Sequence, residues 1–82
     1  MRIQLNHHEL TVLMQPQSGR GGFQSLMRSL QAQALMRGGI LILTPHTIER
    51  IVRYAFQYNN GGWQLQLRKI FGRTLQPFQA VA

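Results

Sequence analysis

Cysteine is absent from this 82-residue chain, which removes disulfides, thiolate metal centres and cysteine nucleophiles together, and with them any argument for an oxidising compartment. Acid is nearly absent too. Two Asp+Glu, Glu9 and Glu49, face nine Lys+Arg, for a formal net charge of +7. Lysine is scarce, since Lys69 stands alone beside eight arginines. No apolar run approaches the roughly 18 residues of a membrane span. The start, Met1-Arg2-Ile3-Gln4-Leu5-Asn6-His7-His8, lacks the apolar stretch of a secretory leader. The expectation is a soluble, cytoplasmic protein that does not engage a membrane.

What remains is a chain that can fold. Hydrophobic residues make up 44% and charged residues 13%, a balance unlike that of a disordered polycation. At 9.4 kDa there is room for one core, predicted to lie within residues 1–76, with 77–82 as a flexible tail. Eleven glutamines supply hydrogen-bonding capacity without charge.

Hydrophobic periodicity predicts an α+β domain: an N-terminal β-hairpin, a helix, a short strand and a C-terminal pair of amphipathic helices. A mainly α fold with a disordered start is the alternative. Ile3 and Leu5 alternate in the strand sense, as do Leu10, Val12 and Met14 after the polar break Asn6-His7-His8-Glu9, so these two runs are read as the hairpin. The Pro/Gly-rich connector 15–22 precedes a first helix carrying Phe23, Leu26, Met27, Leu30 and Ala34 at helical spacing, stopped by Gly38-Gly39. Gly39 to Leu43 reads as a short strand paired with the hairpin, with a buried loop as the alternative. Thr44-Pro45 then provides an N-cap and a first-turn proline for a second helix, with Ile48, Ile51, Val52, Ala55 and Phe56 as its apolar stripe. Asn59-Asn60-Gly61-Gly62 is expected to end it. A third helix carries Trp63, Leu67, Ile70 and Phe71 and is expected to run out near Gly72. The predicted core is Phe23, Leu26, Ile48, Val52, Phe56, Trp63, Leu67 and Phe71.

Gly21-Gly22-Phe23-Gln24 is echoed by Gly61-Gly62-Trp63-Gln64, and in both places an arginine follows the aromatic by five positions. Shared packing explains the echo better than a duplicated binding site, because two copies are too few for a repeat array. These two strings, together with Ile48-Glu49-Arg50-Ile51-Val52-Arg53-Tyr54-Ala55-Phe56-Gln57-Tyr58 and Leu67-Arg68-Lys69-Ile70-Phe71-Gly72-Arg73-Thr74-Leu75, resemble a small family of bacterial accessory proteins without established activity. Its members look like cargo of phages, plasmids and genomic islands, and the likeness spans about residues 19 to 76. The family pattern has an acid where this chain has Gln57. Cargo of this kind resembles phage anti-defence proteins in size, anti-CRISPR proteins included.

Residues for catalysis are few. Glu49 precedes Arg53 by four positions, the spacing of an exposed ion pair on a helix. His7 and His8 on a strand would point to opposite faces and could not share a metal ion. His46 reads as a solvated first-turn residue, which sets aside a nuclease built on it. Neither Gly pair sits in a nucleotide-binding motif. No enzyme activity, cofactor or metal is expected.

The arginines carry the functional expectation. Arg50, Arg53 and Tyr54 on the second helix, with Gln64, Arg68, Lys69 and Arg73 on the third, are predicted to converge into one basic surface. Guanidiniums would fork onto phosphate or carboxylate, amides would add hydrogen bonds, and Tyr54 and Tyr58 would offer stacking for unpaired bases. The reading is a non-enzymatic binding protein of a mobile element that engages nucleic acid or a nucleoprotein complex. The alternative is an anti-defence inhibitor that binds a host effector protein directly, and a structural oligomer is a third class. A helix-turn-helix, with the third helix presenting Gln64, Arg68 and Lys69 to base edges, is weakened by the apolar claim of Trp63, Leu67, Ile70 and Phe71 on that helix.

Overall fold

The structure is a computed structural model and describes residues 1–57 and 61–79. It has the α+β class predicted: among the described residues, two short strands and four α-helices surround one hydrophobic cluster. Strand β1 (Arg2–Gln4) pairs antiparallel with β2 (Ile40–Ile42), Ile3 opposite Leu41. The pairing continues past both ends, where the Leu5 amide donates to Gly39 O (3.0 Å) and the Leu43 amide to Met1 O (2.7 Å). Alternation does the rest. Ile3, Leu5, Leu41 and Leu43 turn inward and are buried, while Arg2, Gln4 and Ile42 face outward.

The second arm of the expected hairpin is instead helix α1 (His7–Leu13), and β1 takes β2 as its partner. The polar break is a capping box. Asn6 Oδ1 accepts from the Glu9 amide (2.8 Å), and Glu9 Oε1 accepts from the Asn6 amide (2.9 Å), satisfying two donors at the helix start. Short apolar runs fit both periods. Here the cap decides, and α1 buries Glu9, Val12 and Leu13.

Helix α2 (Gly22–Arg37) buries Phe23, Leu26, Met27, Leu30 and Ala34 as its spacing predicts. It stops at Gly38, whose φ of +62° only glycine adopts without strain, with the Gly39 amide donating to Ala34 O (2.9 Å). Helix α3 (Pro45–Val52) starts where Thr44 Oγ1 accepts from the Thr47 amide (3.1 Å). It opens into a π-helical turn over Arg53–Gln57, a widening that no periodicity signals. The predicted close of this helix at Asn59-Asn60 lies outside the described residues.

Helix α4 (Gly61–Gln79) does not end at Gly72. Leu67, Ile70, Phe71 and Leu75 are all buried along it, and their burial outweighs the roughly 1 kcal/mol that a helical glycine costs. The predicted boundary after residue 76 falls inside this helix, and residues 80–82 of the expected tail lie outside the described residues. Of the predicted core, Phe23, Leu26, Val52, Leu67 and Phe71 are buried, while Ile48, Phe56 and Trp63 are half-buried against the cluster. Among the described residues no helix is long and apolar enough to cross a membrane.

Candidate nucleic-acid interface

The Gly-Gly-aromatic echo turns out to be one packing device. Each glycine pair opens onto a helix, α2 or α4, and the two aromatics meet: Phe23 and Trp63 stack with centroids 4.9 Å apart and planes 13° apart. Tyr54 stands edge-on to both, 5.9 Å from Phe23 and 5.5 Å from Trp63. A β-carbon at Gly22 would collide with the Tyr54 hydroxyl, so glycine lets the α2 start come up against the π-turn. Tyr54, expected as a stacking surface for bases, is therefore half-buried and engaged by other rings. Tyr58 lies outside the described residues.

The arginines of the echo also share a role. Arg28 Nη2 reaches back from α2 to Gly19 O (2.8 Å) and Gln17 O (3.2 Å), and Arg68 Nε reaches back from α4 to Ala55 O (3.3 Å) in the π-turn. Each guanidinium fastens the chain that precedes its own helix. Arg68 also lies over the Phe56 ring, its Cζ 5.3 Å from the centroid.

Helix geometry divides the predicted surface. At 100° per residue, Arg68 and Arg73 are separated by about 140° around α4. Arg68, with Gln64 one turn before it, lies on the flank toward the π-turn, where Arg50, Arg53 and Tyr54 stand. Gln64 is half-buried there. Arg73 is on the flank toward α1, where Gln66 Nε2 donates to Val12 O (3.4 Å). Lys69 is exposed beside a shallow cavity of about 240 Å³ that it lines with Val12, Gln15, Gly62, Leu65 and Gln66. Gln64, Arg68 and Lys69 thus do not form the single base-reading face that a helix-turn-helix would need.

The predicted cations also differ in what they bond. Arg53 Nη2 lies 2.6 Å from Glu49 Oε1 in the exposed i,i+4 pair that the spacing predicts. Arg50 Nη2 donates to Gly22 O (3.1 Å). Arg73 forms a fork on Glu9, with Nε to Oε2 at 3.1 Å and Nη2 to Oε1 at 2.8 Å, and its Nη2 also donates to Gln4 O (2.8 Å). Burial of Glu9 pushes its pKa up, but the Arg73 hydrogen bond, the Asn6 amide and the charges of Arg73 and His8 together bring it below the ordinary value. The same hydrogen bond and charge raise the pKa of Arg73.

Two exposed basic residues escape a reading by helical stripe: Arg20 in the connector before α2, and Arg28. The available signal was the echo itself, which places Arg28 and Arg68 at equivalent positions, and the setting of Arg20 between Gly19 and Gly21. His7, His8 and His46 are exposed, and no group of three or more His, Asp or Glu among the described residues is placed to hold a metal ion. Comparison of the chain with protein-family models, with curated proteins and with solved structures returned no match.

Proposed function

We propose that the chain is a non-enzymatic binding protein of a bacterial mobile element, and that it engages nucleic acid, free or within a nucleoprotein complex, through the guanidiniums that border the π-turn. One observation carries this reading. Both carboxylate side chains are held by arginines, Glu49 by Arg53 and Glu9 by Arg73. Of nine Lys+Arg, the other seven (Arg2, Arg20, Arg28, Arg37, Arg50, Arg68 and Lys69) have no carboxylate partner among the described residues. Arg50 and Arg68 among them are oriented by neutral carbonyl oxygens, so they keep full charge in a fixed position, which suits the bidentate recognition of phosphate. Arg73 is structural in this reading, and Lys69 contributes charge from the other flank.

The test is binding of the purified protein to a labelled oligonucleotide across a salt series. Affinity is expected to fall steeply as salt rises, and the double variant Arg50→Ala/Arg68→Ala is expected to weaken it. Absence of binding at low salt would remove the reading. A second reading, an anti-defence inhibitor that docks on a host effector protein, is favoured by Leu35 and Met36, which are 73% and 84% exposed beside Arg37. It requires a complex that survives nuclease digestion and is lost on Met36→Asp.

A further inference from the structure

The chain entering α2 is gripped from two sides. Arg28 holds Gln17 O and Gly19 O from within α2, and Arg50 reaches across from α3 to Gly22 O. Arg20 sits between those attachment points and is exposed. Gly19 and Gly22 are three residues apart, so their Cα atoms are separated by at most about 11 Å. Two guanidiniums therefore act on one stretch of chain about a Debye length long, to which Arg20 itself belongs, and within that distance solvent ions screen charges only in part.

Among the described residues no carboxylate pairs with these three cations, because Glu9 and Glu49 are taken by Arg73 and Arg53. The acceptors for Arg28 and Arg50 are neutral carbonyls, which orient a cation without cancelling it. A guanidinium has five N–H donors, and the bonds to the chain use only Nη2 of each arginine. Nε and Nη1 of both carry no further hydrogen bond to the described residues. Arg20 carries none to the described residues.

We propose that Arg20, Arg28 and Arg50, around residues 17–22, form a binding site for the phosphodiester backbone of a polynucleotide. The site rests on the nucleic-acid reading above and extends it to two arginines outside the α3–α4 surface. The backbone phosphates of the ligand supply the negative charge that the chain withholds from this loop. Arg50 binds them through the guanidinium edge that its bond to Gly22 O leaves open, Arg28 through single N–H donors on Nε and Nη1, and Arg20 from the loop itself.

The experiment is a salt series of oligonucleotide binding by fluorescence anisotropy, on the wild type, Arg20→Gln, Arg20→Gln/Arg28→Gln and Arg28→Lys. Arg20→Gln breaks no hydrogen bond to the described residues, and an unchanged circular-dichroism melting curve verifies its fold. It is expected to lower affinity several-fold and to reduce the magnitude of the log K against log salt slope by about 1. Arg28→Lys is expected to keep most of the slope and lose affinity, because charge persists while the Nη2 anchor on Gln17 O and Gly19 O and the fixed Nε and Nη1 donors are lost. Wild-type binding with a wild-type slope in both Arg20→Gln and the double variant overturns this site and leaves the Arg68 surface standing. Absence of wild-type binding at low salt overturns the nucleic-acid reading and this site with it. Half-displacement of the oligonucleotide by micromolar inorganic pyrophosphate would assign the site to a small phosphate ligand and overturn the backbone proposal.

Discussion

Glu9 ties three elements together with one carboxylate. It caps α1 through the Asn6 amide and receives the fork of Arg73 from α4, while Arg73 also bonds Gln4 O in β1. Its relative exposure is 4%, so losing these bonds leaves a polar group with little access to water. Glu9→Gln keeps the shape and removes the charge, and should cost about 1–3 kcal/mol at neutral pH in a urea titration. The pH dependence follows from the direction of the pKa. Because folding depresses the pKa of Glu9, its stabilisation is present above the unfolded value of about 4.3 and is lost as pH falls through the lower folded value. The wild type should therefore lose stability more steeply in that acid range than Glu9→Gln does. Equal acid sensitivity of the two would deny Glu9 this role. A second residue points the opposite way. Thr74 Oγ1 is buried without a hydrogen-bond partner, so Thr74→Val should raise stability by about 1 kcal/mol by removing a hydroxyl that loses water and gains nothing.

Among the elements, those with strong local signals were legible in the chain. Thr44-Pro45 marks the start of α3, Gly38 marks the stop of α2, and the apolar run at Ile40 marks β2, each through chemistry contained in a few neighbouring residues. In α1, Leu10, Val12 and Met14 alternate as a strand would, but the Asn6–Glu9 capping box starts a helix in which the Leu10 and Met14 amides donate to Asn6 O and Leu10 O. Asn6→Ala should accordingly destabilise the protein by about 1 kcal/mol in the same titration. The length of α4 was hidden by Gly72, a local breaker overridden by packing on both sides of it. A β-carbon at Gly72 would meet nothing within 4 Å, and the position is helical, so Gly72→Ala should stabilise the protein by about 0.5–1 kcal/mol. A lower melting temperature for that variant would show that α4 does not continue as a regular helix there. The candidate surface was legible only in part. Arg53 announces its partner Glu49 by spacing, whereas Arg73 and Glu9 are 64 positions apart and nothing local links them. Removing Arg73 from the basic surface therefore required the fold.

For the whole molecule, the distribution of charge sets a bound on how it can bind. Net charge is +7, and the seven cations without a carboxylate partner among the described residues are spread over β1, the connector before α2, α2 itself, α3 and both sides of α4. Neutralising all of them on duplex DNA would release counterions with a log K against log salt slope of about −6, at roughly −0.9 per phosphate. A ligand lying along one side cannot reach them all. Arg20, Arg28 and Arg50 at the start of α2, with Arg68 beside the π-turn, amount to about four contacts, for a slope near −3.6 on a duplex and about −2.8 on a single strand. A measured duplex slope between about −3 and −4.5 would match one-sided binding by that group, and Arg2→Gln and Arg37→Gln should then leave it unchanged. A slope at the full bound of about −6 would require the polymer to wrap the protein, and in that case Arg2→Gln and Arg37→Gln should each reduce its magnitude by as much as Arg20→Gln does.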